Sequence, residues 1–186
     1  SETAMKQAET GGNGMGRKNH RFRVAVTGIT TGKLVDMGTK DSMNMGAAMA
    51  PAAFHTVMQN LKDLEITKEQ LEGGWYDKII TGDLGKIGKQ ALADLLRNEG
   101  LEAEGFLMDC GVEIYDNQKQ DTHAGGSGCG CSALVLGALI LPNIQAGIWK
   151  RVLFVPTGAL LSTVSFNEGQ TIPGIAHGVI LERMGK

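Results

Sequence analysis

WYDKIITGDLGKIGKQALADLLRNEG, residues 75–100, decides the fold class. Trp75 to Thr81 is strand material and stops at Gly82-Asp83. Ile87 to Asn98 follows as a helix, with Ile87, Ala91, Leu92, Leu95 and Leu96 on one face and Gly100 as its stop. A strand, a tight glycine turn and an amphipathic helix together make the repeating unit of an α/β layer.

Upstream, Arg21 to Val35 reads as strand. Phe22, Val24 and Val26 alternate with polar neighbours, and Ile29 to Val35 follows Gly28. A helix lies within Met43 to Leu61, where Ala50, Phe54, Val57, Met58 and Leu61 recur at helical spacing. Asn44 is its candidate cap, and Pro51 either starts the helix or kinks it. Downstream, Phe106 to Met108 and Val112 to Tyr115 are short strand-like pieces. The glycine-rich turn Asp121 to Cys131 then feeds an apolar segment, Ser132 to Ile144, that reads as a buried helix. Arg151 to Pro156 is continuously apolar after its first residue, the mark of a strand buried on both faces. A long loop, Thr157 to Gly174, leads to a final strand, Ile175 to Leu181. The order predicts an α/β fold of βαβαββ type, with a mostly parallel central sheet layered by helices and two closing strands antiparallel at its edge.

The 186 residues suit one domain, residues 20–186, preceded by a polar arm or loop remnant at 1–19. A formal net charge of −2 and the lack of a basic stripe argue against nucleic acid as a partner. The longest apolar segment, Ala133 to Ile144, is too short to span a membrane. Three cysteines, two of them separated by one glycine, do not suit a disulfide framework, and Ser1 to Asn19 lacks the apolar core of a secretory signal. A cytoplasmic setting is expected. The Gly28…Gly32-Lys33 spacing is one residue short of a phosphate loop and carries Leu34 where a hydroxyl belongs, so it is rejected.

The turn ending Gly125-Gly126-Ser127-Gly128-Cys129-Gly130-Cys131 carries the most chemistry. Its glycines free several backbone N–H groups to point one way, and the following helix adds a partial positive charge, a combination that holds carboxylates and other anions. The same field would activate a thiol at Cys129 or Cys131. Four readings stay open: close packing with buried cysteines, anion binding, nucleophilic catalysis, and a zinc site written from Cys110, His123, Cys129 and Cys131. Asp83, Asp109 and Asp121 sit near strand ends, where open α/β sheets bind ligands. Asp83 also reads as a cap on the helix after Gly82, and Asp109 and Asp121 as exposed turn residues. His55 and His177 read as structural histidines, with small neighbours at Ala176 and Gly178 implying a close approach to the latter.

Several stretches together resemble a known family: LVDMGTKDSMNMGAAMAPAA at 34–53, ITGDLGKIGK at 80–89, MDCGVEIYD at 108–116, DTHAGGSGCGCSA at 121–133 and LFVPTGALLSTVSFNEGQTIPGIAH at 153–177. They are similar to the C-terminal half of the stage V sporulation protein AD family, of the thiolase-like superfamily. The likeness runs from about Arg23 to Glu182, and residues 1–19 fit it poorly. The resemblance implies two similar halves, each a five-stranded sheet layered with helices, sharing a buried site. In ketosynthases of this superfamily the strand matching Lys78–Thr81 ends in a catalytic histidine, where this chain has Thr81. In thiolases a Gly-His-Pro motif occupies the glycine-rich turn, where His123 here is offset and no proline follows.

The resemblance therefore implies a non-catalytic protein that binds dipicolinic acid and supports its uptake into the developing spore. Its implied partners are the membrane proteins of the same uptake system and the N-terminal half of the fold, with a homodimer as an expectation of the two-fold design. Its implied place is the cytoplasmic side of the spore's inner membrane. The candidate ligand set is His123, Gly126, Ser127, Gly128, Cys129, Cys131, Thr81, Asp83, Asp109 and Cys110. No cofactor or resident metal is expected, and calcium would arrive only with the ligand. The alternatives are an acyl-transfer enzyme and a scaffold subunit that binds nothing small.

Overall fold

The computed structural model describes residues 22–116, 118–125 and 128–185. In chain order the elements are β1 (Arg23–Thr30), α1 (Met45–Asp63), α2 (Lys68–Glu72), β2 (Lys78–Thr81), α3 (Gly85–Asn98), β3 (Leu107–Asp109) and α4 (Cys110–Glu113). A helical run follows as α5 (Cys131–Val135), a π-helical turn (Leu136–Ile140) and α6 (Leu141–Gln145). Next come β4 (Arg151–Val155), β5 (Thr157–Ala159), α7 (Thr163–Asn167), β6 (Gly174–Ala176) and β7 (Gly178–Met184).

Five strands form one sheet in the order β1-β7-β4-β2-β3. β2 is parallel to both β3 and β4, whereas β7 is antiparallel to both β4 and β1. β7 is thus the one strand of this sheet that runs against the others. The expected antiparallel closing strand exists, but it sits between β1 and β4, and β1 takes the edge. The other closing piece, β6, leaves this sheet and pairs with β5.

The two-residue period of the strands sorts their side chains onto two layers. Ile79, Leu153 and Val155 pack with Val57 of α1 and with Leu92 and Leu96 of α3. Ile80, Val152 and Phe154 pack on the opposite face with Cys110, Cys131, Val135, Ile140 and Ile144. Burial on both faces is what the apolar run of β4 demanded. Among the described residues no helix is long and apolar enough to cross a membrane.

Several details differ from the sequence reading. Val112 to Tyr115 is not a strand, because the chain turns into α4 directly after Asp109. The apolar run from Cys131 is helical but only half-buried: Val135, Ile140 and Ile144 face the core, while Leu134 is 57% exposed. Ile87 leaves the predicted buried face and is 51% exposed. The reason is a close crossing of α1 and α3 that only glycines permit. A Cβ on Gly88 would come within 2.7 Å of the Gly46 carbonyl oxygen, and one on Gly46 within 2.0 Å of the Leu84 carbonyl oxygen. Pro51 neither starts nor ends α1, and Asn44 stands at its N-cap without a side-chain cap bond. The loop 157–174 contains β5 and α7.

His177 separates β6 from β7 and is exposed, accepting a hydrogen bond at Nδ1 from the Gly32 amide at 3.1 Å. The close approach implied by its small neighbours is real: a Cβ on Gly32 would lie 1.6 Å from the Ala176 carbonyl oxygen. A buried polar chain ties β1 to α1. The Tyr76 hydroxyl donates to Asn60 Oδ1 at 2.7 Å, and Asn60 Nδ2 donates to Thr30 Oγ1 at 2.9 Å.

Candidate functional site

The parallel strands β2, β3 and β4 all end at one pole of the sheet, at Thr81, Asp109 and Val155. Strand ends of this kind are where α/β sheets place ligands, because the chain must leave the sheet there and opens a crevice. β2 leaves through Gly82-Asp83-Leu84 into α3, and β4 leaves through Pro156 into β5. Gly82 sits where both routes meet. A Cβ there would come within 2.5 Å of the Thr157 amide nitrogen and 2.7 Å of Ser132 Oγ. Its absence lets two hydroxyl side chains close in on the end of β2.

A cavity of about 220 Å³ opens at this pole. Asp83 and Ser132 form one side with Gly128 and Cys129 of the glycine-rich turn. Thr157, Gly158 and Ala159 of β5 form another, and Met45 and Met49 of α1 close it. The Asp83 amide donates to Thr157 Oγ1 at 3.1 Å, and Asp83 Oδ2 accepts from the Gly128 amide at 2.7 Å. An N–H group of the glycine-rich turn thus already holds an anion, and that anion is the protein's own.

The candidate residues separate into three sets. Asp83, Gly128 and Cys129 line the cavity, and Cys129 is exposed. Thr81, Asp109, Cys110 and Cys131 lie beneath it, each at most 2% exposed. His123 is outside: its side chain is 89% exposed and its Nδ1 lies 3.5 Å from Asp121 Oδ1. Its φ of 49° places it in the left-handed region, a turn conformation. Gly126 and Ser127 lie outside the described residues.

Asp109 is 0% exposed. Its Oδ2 accepts the Thr81 hydroxyl at 2.7 Å and the Leu84 amide at 2.8 Å, and its Oδ1 accepts the Gly85 amide at 2.9 Å. It is neither an exposed turn residue nor a cap on its own helix. It caps α3 from across the sheet, where Leu84, the residue at the N-cap position, has no side chain able to do so. Burial pushes the Asp109 carboxyl above the ordinary aspartate range, against the lowering effect of these three bonds. Burial likewise raises the Cys110 thiol, with the Asp109 charge adding to it. Cys110 is therefore a thiol and not a thiolate nucleophile at neutral pH.

Among the described residues no group of three or more His, Cys, Asp and Glu side chains is placed to hold a metal ion. Sequence reasoning missed Met45, Met49, Ser132, Thr157, Gly158 and Ala159 as cavity residues. The usable signal was the position of Thr157 just past a doubly buried strand, which is the end that faces ligands.

The sequence model of the stage V sporulation protein AD family matches residues 2–182. The chain belongs to that family. The stage V sporulation protein AD of Bacillus subtilis (strain 168) is 43% identical over 162 residues, covering 87% of this chain and 46% of that protein. This family member spans about half the length of the curated relative it matches. The family match begins at residue 2 and so takes in residues 2–19 of the polar stretch. The family's name ties it to sporulation.

Proposed function

We propose that this chain forms one side of a site that binds dipicolinic acid and supports its uptake into the developing spore. The cavity at the ends of β2 and β4 is the observation that carries the reading. A planar ring bearing two carboxylates suits a small pocket with apolar sides at Met45, Met49 and Ala159, backbone amides, and the hydroxyls of Ser132 and Thr157. Asp83 points the same way, since a carboxylate on the rim favours a ligand that arrives with a divalent cation. The reading is of a binding protein: none of the described residues lining the cavity is a histidine, and the resemblance to ketosynthases puts Thr81 where those enzymes carry their catalytic one.

The partners that go with this function are the membrane proteins of the uptake system and the N-terminal half of the fold. The half-exposed helical run from Cys131 to Gln145 contains no charged residue and supports docking of that half. A homodimer through the same surface is the version open to this chain by itself. Its place would be the cytoplasmic face of the spore's inner membrane.

Acyl transfer is the second reading, favoured by the exposed Cys129 on the cavity rim. Calorimetric titration of dipicolinate, with and without calcium, into this chain and into a protein that includes the N-terminal half tests the first reading. Heat of binding in either protein supports it, and silence in both sinks it. Covalent labelling of Cys129 by a thiol-reactive acyl analogue would favour the second. Retained partner docking without ligand binding would favour a scaffold.

A further inference from the structure

Asp109 touches the cavity nowhere, yet it holds both ends of the turn that does. Thr81, which precedes Gly82-Asp83, donates to its Oδ2 at 2.7 Å, and the Leu84 and Gly85 amides, which follow, donate at 2.8 and 2.9 Å. Thr81 and Asp109 are register partners across the parallel pair β2/β3, so the strand pairing itself sets their distance. A two-residue turn anchored on both flanks has little freedom left in its middle. The bare Cα of Gly111 makes room for the Asp83 carboxyl: a Cβ there would lie 2.1 Å from Asp83 Oδ1 and 3.1 Å from Asp109 Oδ1. The Asp83 carboxylate is thereby held on two sides: its buried Oδ1 packs against Gly111, its Oδ2 takes the Gly128 amide at 2.7 Å, and its own amide meets Thr157 Oγ1 at 3.1 Å. Gly128 and Thr157 both line the cavity.

We propose that Asp109 is a positioning residue for the cavity: by fixing Thr81 and the Leu84-Gly85 amides it sets the direction of Asp83, and through Asp83 it holds the glycine-rich turn at Gly128 in place. A buried carboxylate that only capped α3 would stabilise the helix without any effect on Gly128. A positioning carboxylate must couple the two. The relation concerns the geometry of the cavity and stands whether or not dipicolinate is what fills it.

Amide hydrogen exchange on the full chain, read by NMR at Gly128 and at the core residue Leu153, tests it. In Asp109→Asn the Gly128 amide is expected to exchange about tenfold faster or more, the size of losing a charge-assisted hydrogen bond, with Leu153 changing far less. Asp83→Asn, which weakens the acceptor directly, gives the reference loss at Gly128. Thr81→Val is expected to shift Gly128 in the same direction and Thr81→Ser to restore it. That pair decides the matter if Asp109→Asn does not fold. Unchanged protection at Gly128 in Asp109→Asn, or in Thr81→Val if Asp109→Asn does not fold, overturns the proposal. So does an equal loss at Gly128 and Leu153, which is what general destabilisation would produce.

Discussion

The Asp83 carboxylate closes on the Gly128 amide at 2.7 Å, joining the end of β2 to the glycine-rich turn across 45 residues of chain. An incoming carboxylate must therefore compete with Asp83 for that N–H or be accompanied by a cation that both carboxylates share. Replacing Asp83 by Asn should raise affinity for calcium-free dipicolinate by about tenfold, because like-charge repulsion at a few ångströms is removed. It should weaken the response to calcium. Calorimetry of the variant at two calcium concentrations reads both effects.

Asp109 should show its burial in the pH dependence of stability. A carboxyl whose folded pKa is raised above its unfolded value contributes stability that is fully present below the unfolded pKa. That contribution is lost as pH rises through the folded pKa. Between the ordinary aspartate value and the raised one, acidification should therefore help the wild type relative to Asp109→Asn. Asp109→Ala should cost about 3 kcal/mol near neutrality, since it strands the Leu84 and Gly85 amides and leaves the Thr81 hydroxyl only the Met108 carbonyl oxygen at 3.2 Å. Urea denaturation at several pH values checks the sign and the size.

Tyr76 is 1% exposed and its phenol is pushed up to about 12 by burial. Tyr76→Phe removes the donor to Asn60 Oδ1 while the Asn60 bond to Thr30 remains. A loss of about 1–3 kcal/mol is expected, measured by chemical denaturation. A loss near zero would mean that water replaces the hydroxyl.

Gly46→Ala should be more damaging than its size suggests. The added methyl would stand 2.0 Å from the Leu84 carbonyl oxygen, so α1 and α3 must separate. A cost of about 2–3 kcal/mol is expected from overpacking against backbone. Gly137, on the half-exposed helical run, has nothing within 4 Å of its Cβ position. Gly137→Ala provides the contrast and should be neutral or stabilising in a thermal melt.

Leu134→Lys should leave the stability of the chain unchanged to within about 0.5 kcal/mol, because the side chain is 57% exposed. If the uncharged helical run is where the other half docks, the same change should weaken association with that half about tenfold or more. Titrating the N-terminal half into both forms separates the two effects.

The fold was largely legible in the sequence. The apolar run at 151–156, the strand–turn–helix at 75–100 and the helical stripe in 43–61 depend on local periodicity, and the core follows from where those faces must go. The family was legible for a related reason, since long stretches at 121–133 and 153–177 keep its residues together in the chain. The site was legible only in part. Asp83, Gly128 and Cys129 could be picked out by type, but their meeting with Thr157 and Met49 depends on three strands ending at one pole. Asp109 and His123 show the limit most clearly. Both are polar residues in turn-like sequence, and local chemistry cannot say that one faces inward beneath the sheet's end and the other faces water. Periodicity is a property of neighbours along the chain and fixes the elements. The direction of a side chain at an element's end depends on contacts such as Thr81–Asp109 and Gly111–Asp83, which exist only once the strands have paired.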